Sequence, residues 1–497
     1  MKNIILCADG TGNKGGYTPD SNVYKMYNAI DLHHQDIEQI VFYDNGVGTQ
    51  TNKYIRALSG GLGFGFKTNV CDLYEYLARH YNPGDGIYMF GFSRGAATIR
   101  AFNGFIDACG LIDGRGKGNK ELKLDVKTAM KAYSKPSERS NLLSDLKRHS
   151  ETPEITFIGV WDTVSALGFP ERTDIAGVGL RLLSMAFKAL GALSNKFIPH
   201  KFYNYELTSN VAKAYQALAI DDERTAFWPK VWNEELPDAK NVDIMQVWFT
   251  GMHSNVGGGY ERAGLANVTF SWMLENINGI VFKDGVLESA RADANVHGRM
   301  YDSRQGFATY YRYHPREIET LCKEANTKVK IHESVISRLK LRTANYAPTL
   351  LPKSFEIADT QGNTIPSPVV HDAHWELFHK EINYWIKFRK WLYGILLELS
   401  IAVLGFVWYW KCVPLTAPEG REGPSGLMAD ILEYISPKFF DGFIEKAVIQ
   451  YPCFGIAVAA IIIGYMFIRR HARKRTTEHA ERLRKLIIIA PKGHPDY

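Results

Sequence analysis

The stretch "DGIYMFGFSRGAATIRAF", residues 85–102, decides how the rest of the chain is read. Ile87 to Phe90 form a short apolar run of the kind that makes a buried strand, and Ala96 to Phe102 continue as a helix. Between them lies Gly91-Phe92-Ser93-Arg94-Gly95, a G-x-S-x-G turn. A serine at a sharp strand-to-helix turn is lifted out of the sheet, and the flanking glycines remove Cβ atoms that would collide there. The helix that follows directs backbone N–H groups back toward the serine, with Arg94 first, which suits a developing oxyanion. A five-residue pattern also fits an ordinary tight turn, so the reading depends on partners elsewhere in the chain.

Working outward, apolar strands alternate with amphipathic helices. "NIILCA" (3–8), "QIVFYD" (39–44), "ITFIGVWD" (155–162) and "VDIMQVWFTG" (242–251) read as strands. "SNVYKMYNAI" (21–30) opens on a serine N-cap, and "FKTNVCDLYEYLARHY" (66–81) stops at "NPGDG". This alternation predicts an α/β fold, a mostly parallel sheet with helices on both faces, in which function collects at the carboxyl ends of the strands. Two such ends stand out. Asp162 closes "GVWD", and His253 follows "WFTGM". Taken alone, Asp162 fits a helix N-cap and His253 a turn residue. With Ser93 they follow the order Ser, Asp, His of an α/β-hydrolase triad. The chemistry requires all three types: imidazole takes the serine proton, and the carboxylate fixes the tautomer and stabilises the imidazolium. "DGTGN" (9–13) offers a second oxyanion donor through the backbone of Gly10 or Thr11, and Asp9 is a candidate cation ligand on the strength of one carboxylate.

The chain has 497 residues, enough for more than one structural unit. Its net charge of +6 is concentrated in "RRHARKR" (469–475), so a domain-wide nucleic-acid footprint is not expected. Two apolar runs, "WLYGILLELSIAVLGFVWYW" (391–410) and "IQYPCFGIAVAAIIIGYMFI" (449–468), have the length of bilayer spans; buried core helices are the alternative. Aromatic ends on the first run and basic flanks outside both predict a two-helix transmembrane hairpin over 385–475. The rest of the chain, including a basic tail at 476–497, is then on the cytoplasmic side of a bacterial inner membrane. The opening "MKNIILCADG" reads as a strand rather than a secretion signal. The six cysteines show no metal-ligand spacing, and Cys412 and Cys453 fall at the loop-side ends of the two spans. An α/β domain is expected over 1–380, with helical insertions at 114–151 and 170–205. The first insertion reads as polar and exposed. The second carries "GLRLLSMAFKALGALSNKFI" (179–198), which reads either as a core helix or as a lid that meets lipid.

Seven ordered blocks, "CADGTGN", "YDNGVGT", "SGGLGFG", "PGDGIYMFGFSRGAA", "GVWDTV", "ALAIDDERTAF" and "VWFTGMHSNVGGGY", resemble the α/β-hydrolase domain of type VI secretion phospholipase effectors over residues 1–280. The resemblance implies a serine hydrolase of phospholipid acyl esters (phospholipase A type), with Ser93, Asp162 and His253 as its triad. It further implies no required cofactor, a phospholipid membrane as substrate, an immunity or chaperone protein as partner, and an antibacterial or defence role. In that family tryptophan, histidine and two aspartates usually stand where this chain has Gly12, Gln216, Asn255 and Asn267. Two alternatives to a lipolytic enzyme stay open: a membrane-bound interaction or immunity-type protein on a weakened hydrolase scaffold, and an esterase or thioesterase for soluble acyl substrates.

Overall fold

The first strand shows why the sheet is closed on both sides. β1 (Asn3–Ala8) is buried along its whole length, with Ile4 and Leu6 in one apolar cluster and Ile5 and Cys7 in another. Successive residues of a strand face opposite sides, so an unbroken apolar run demands cover on both faces. The computed structural model describes residues 1–46 apart from 11, 14 and 18, then 65–165, 202–367, 374–412, 424–436 and 438–488.

The strands are β1, β2 (Gln39–Asp44), β3 (Gly86–Phe92), β4 (Phe157–Trp161), β5 (Lys213–Ala219), β6 (Asp243–Phe249), β7 (Lys330–His332), β8 (Glu356–Ala358) and β9 (Thr364–Pro366). They form one nine-stranded sheet in the order β2-β1-β3-β4-β5-β6-β7-β8-β9. Every pairing is parallel except β8 with β9. The molecule is therefore an α/β protein with a mostly parallel, mixed sheet, as the alternation of elements predicts.

One face is covered by the helices Phe66–His80 and Arg94–Cys109, the other by Asn22–Ala29 and Gly264–Glu275. The insertion at 114–151 is less exposed than its charge suggests. Its helix Asn119–Ser134 sends Leu122, Val126, Ala129, Met130 and Tyr133 into the first cluster, a helical stripe that the surrounding lysines mask in the sequence. The segment 281–380, silent in the sequence, adds β7 to β9 and a third cluster around Trp248, Ile318, Ile331 and Val335. The insertion at 170–205 lies outside the described residues up to position 201, and with it the candidate lid helix at 179–198.

Two long helices follow, His374–Cys412 and Pro452–Ile488, each long and apolar enough to cross a membrane. The second starts at Pro452, three residues inside the apolar run, because proline has no N–H to give and suits the first helical turn. Ile401, Leu404, Phe406, Ile461, Met466 and Phe467 are exposed along these helices. Leu377–His479 belong to a second compact unit. Of the expected tail, residues 476–488 continue the second helix, in which Ile487 packs against the third cluster, and 489–497 lie outside the described residues. The Cys453 thiol is free and exposed, and the side chain of Cys412 lies outside the described residues.

The helix after Ser93 approaches β1 so closely that a Cβ on Gly95 would lie 2.1 Å from the carbonyl oxygen of Ala8. Backbone on both sides leaves nothing to swing away. Gly95→Ala is expected to lower the free energy of unfolding by roughly 2 kcal/mol or more, measured as a lowered urea midpoint at unchanged slope.

Candidate active site

β3 ends at Phe92, and the chain turns at Ser93 with φ 59° and ψ −122°. L-residues rarely occupy that region, and holding one there costs on the order of 1–3 kcal/mol. The neighbours that hold it are visible. The Ser93 N–H donates to Trp161 O at 3.0 Å, and the Ser93 carbonyl accepts from Ala97 N at 3.3 Å and Val164 N at 3.4 Å. Ser93 is thus fastened to the ends of β3 and β4 and to the first turn of its helix.

His253 opens a short helix just beyond β6, its ring between Phe92 (centroids 4.6 Å apart) and Phe227 (5.0 Å). Its backbone N–H donates to Asp222 Oδ2 at 3.3 Å. Nε2 lies 2.7 Å from Ser93 Oγ, and Nδ1 lies 2.5 Å from Asp162 Oδ2. Asp162 follows β4 with a left-handed φ of 45° and donates its N–H to Ala217 O at 2.8 Å. Its Oδ1 accepts from Ala219 N at 2.9 Å. The three residues read from strand ends therefore meet in one hydrogen-bonded line across β3, β4 and β6, and all three are buried.

A fourth side chain completes the arrangement. Arg316 Nη1 donates to Asp162 Oδ1 at 2.6 Å and Nη2 to Oδ2 at 2.7 Å. The same guanidinium reaches the carbonyl oxygens of Ala219 and Phe227. Burial alone would raise the Asp162 carboxyl. The charge and hydrogen bonds of Arg316, followed by His253, together outweigh it and hold the carboxyl well below the usual carboxylate range. His253 moves the other way: burial pushes its imidazole below 6.5, and the pull of Asp162 restores only part of that. The resting site is therefore a charged Asp162, a neutral His253 and a neutral Ser93 at physiological pH.

The glycine-rich loop after β1 lies beside Ser93, since a Cβ on Gly10 would come within 3.2 Å of Ser93 Cβ. The Gly10 N–H donates to Asp9 Oδ1 at 2.6 Å. Asp9 also accepts from Asn13 Nδ2 at 3.1 Å, Ser21 Oγ at 2.5 Å and Tyr43 OH at 2.6 Å. Its buried carboxylate thus has four protein donors around it, and burial raises its pKa despite them. Thr11 lies outside the described residues. Arg94 opens the helix Arg94–Cys109 directly after Ser93. Among the described residues no group of three or more His, Cys, Asp and Glu side chains is arranged to hold a metal.

Three of the four positions set apart in the sequence, Gln216, Asn255 and Asn267, carry side chains with hydrogen-bond partners. Gln216 accepts from Thr163 Oγ1 at 2.5 Å and donates to Gln246 Oε1 at 3.0 Å. Asn255 accepts from Tyr301 N at 3.2 Å and donates to Arg299 O at 3.2 Å. Asn267 accepts from Lys25 Nζ at 2.5 Å. Residues that sequence reasoning missed are Arg316, Phe227 and the Asp222–Arg224 ion pair (2.6 Å) under the histidine loop. The acid-base spacing of "DDER" is the only sequence signal among them; "YHPREI" carries none.

A family model described as "T6SS, Phospholipase effector Tle1-like, catalytic domain" matches residues 2–276. An uncharacterized protein of Saccharomyces cerevisiae is 33% identical over 192 residues, which cover 34% of this chain and 27% of the yeast protein, so the chain spans just over a quarter of that relative. A crystal structure of an uncharacterized protein from Pseudomonas aeruginosa is 14% identical with a TM-score of 0.30, covering 92% of this chain and 66% of its own. The RedJ thioesterase of prodiginine biosynthesis from Streptomyces coelicolor is 11% identical with a TM-score of 0.24, covering 54% of this chain and 89% of its own. With more than half of its residues matched, the chain belongs to the type VI secretion Tle1-like phospholipase effector family.

Proposed function

We propose that this chain is a membrane-anchored serine hydrolase of α/β-hydrolase type that cleaves acyl esters of phospholipids, in an antibacterial or defence role. The observation that carries the reading is the line Ser93 Oγ, His253 Nε2, His253 Nδ1, Asp162 Oδ2, with links of 2.7 and 2.5 Å, inside a phospholipase effector family. Ser93 Oγ attacks the acyl carbonyl carbon as its proton passes to His253 Nε2. The tetrahedral intermediate places its oxyanion by the N–H of Arg94 at the helix start. Its collapse breaks the ester C–O bond, and His253 returns the proton to the departing alcohol of the lysolipid. Water, deprotonated by the same imidazole, then releases the fatty acid and restores Ser93. Asp162 stays ionised throughout and stabilises the imidazolium.

The two apolar helices support the anchoring part of the proposal. Within these helices the basic residues lie outside the apolar runs, before Trp391 and from Arg469 onward, a bias that supports a cytoplasmic side of a bacterial inner membrane for the rest of the chain. Cys453, exposed at the start of the second helix, then lies on the opposite side.

Three outcomes test these statements. Ser93→Ala and His253→Ala are expected to lose about 10⁴-fold or more in fatty-acid release from phospholipid vesicles while remaining folded. Asp162→Asn should lose activity and also about 3–5 kcal/mol of stability, because Arg316 is left buried without its counter-charge. Full activity in the serine variant would remove the mechanism.

The pH dependence follows from the depressed imidazole. His253 must be neutral to act as base, so activity should persist below 6.5 and fall only at lower pH. The acid limb of kcat/KM for a soluble nitrophenyl ester measures this, and a limb centred above 6.5 would contradict the burial argument.

For topology, a membrane-impermeant maleimide applied to intact spheroplasts should label Cys453 in a Cys412→Ser variant. Cys71 should react only after lysis. The reverse pattern would place the sheet outside.

A further inference from the structure

The family match ends at residue 276, yet the buried carboxylate of the triad is held by a residue 40 positions later. Arg316 is 1% exposed and binds both oxygens of Asp162. It reaches that place because the preceding stretch is laced to the loop under the histidine. Thr225 N donates to Arg312 O at 3.0 Å, His314 N donates to Glu223 O at 2.8 Å, and Tyr313 bridges to Arg224. On its other side Ile318 is buried in the third apolar cluster. The guanidinium also holds the carbonyl of Ala219, at the end of β5, and that of Phe227, whose ring flanks His253. One side chain therefore fixes the carboxylate and part of the wall against which the imidazole rests.

We infer that Arg316 is a positioning residue of this site, one that aims Asp162 at His253 and withholds part of the aspartate's charge from the imidazole. The inference rests on the serine-hydrolase reading given above. Its physical basis is a shared atom. Asp162 Oδ2 lies 2.5 Å from His253 Nδ1 and 2.7 Å from Arg316 Nη2, so the carboxylate that would stabilise an imidazolium is already partnered by a permanent cation. Other charges around His253 are Asp222, beneath its backbone N–H, and Arg224, and these two are paired with each other at 2.6 Å. Tyr260, in the segment after the short helix of His253, hydrogen-bonds Met252 Sδ at 3.5 Å. Arg316 is then the cation that acts directly on the carboxylate of the triad. Its role is to trade basicity for order: the imidazole stays neutral and aimed, and the lowered basicity is accepted. The stretch 312–318 is in this view part of the site, although it lies outside the matched domain.

The test compares full-length wild type, Arg316→Gln and Arg316→Lys on a soluble nitrophenyl ester across pH, with rates expressed per folded protein from circular dichroism. Arg316→Gln removes the cation, so the imidazolium becomes easier to form. The acid limb of kcat/KM should move upward by about one pH unit. Its kcat should fall about 100-fold with KM unchanged, because a loosened carboxylate no longer holds the ring on line. Arg316→Lys keeps the charge but cannot span both oxygens, so its limb should stay near wild type while kcat falls. A purely structural arginine would lower the folded fraction in both variants and leave kcat and the limb where they are, and that result overturns the inference. If Arg316→Gln does not fold, Arg316→Lys decides: reduced kcat at constant KM supports the role, and wild-type kcat removes it. Ser93→Ala separates the two levels. An active serine variant defeats the hydrolase reading, whereas an inactive one beside unaffected Arg316 variants defeats this inference alone.

Discussion

A carboxylate with no access to water sits at the middle of the sheet's carboxyl edge, and much of the surrounding structure answers to it. An isolated charge buried at this depth would take up a proton instead of remaining ionised. Asp162 stays charged because Arg316, the Ala219 amide and His253 share its two oxygens. Those partners come from the ends of β5 and β6 and from a segment some 150 residues downstream, so the charge ties distant stretches to one point. The left-handed turn at Asp162 and the parallel register of β4 with β5 place the carboxylate there.

What was legible in the sequence tracks how strongly local physics constrained it. β1 and β2 are six-residue, largely apolar stretches bounded by turns, and the strands run over the residues this pattern predicts. The triad was legible because each member follows a strand and stands among glycines. β5 was not: "KAYQALA" is rich in alanine and has a central glutamine, which helices favour, and only burial between β4 and β6 makes it a strand. β7 to β9 have three residues each, too few to show a period. Arg316 was invisible because an arginine in a polar, aromatic stretch normally faces water. Its burial is a property of the assembled fold, since the carboxylate that makes burial tolerable lies far away in the chain.

The two faces of the site are built differently. Toward the sheet, contacts are backbone-tight: Gly95 rides against Ala8, and Ser93 is tied to Trp161. His253, by contrast, rests on aromatic rings, that of Phe92 at the end of β3 and that of Phe227, over which Arg224 stacks at 3.6 Å. Rigid backbone thus fixes the serine, side-chain packing holds the imidazole, and Asp162 is held by both, through its own turn and through Arg316. This division suits a group that must exchange protons with two partners in turn.

The strained turn at Ser93 also bears on how such a chain can change over generations. Its backbone angles are ones that glycine adopts freely and serine only under strain, so the proposed nucleophile is the locally unfavourable choice. Replacing it with glycine would relieve on the order of 1–3 kcal/mol of strain, against roughly 0.5–1 kcal/mol of added freedom in the unfolded chain. The hydrogen bond between Ser93 Oγ and His253 Nε2 would be lost as well, at a cost of about 1–3 kcal/mol, so the exchange comes out near neutral. In a lineage under selection only for surface contacts, nothing in the stability of the fold would then hold a serine at this turn. A serine kept at this turn is correspondingly a sign of selection for chemistry.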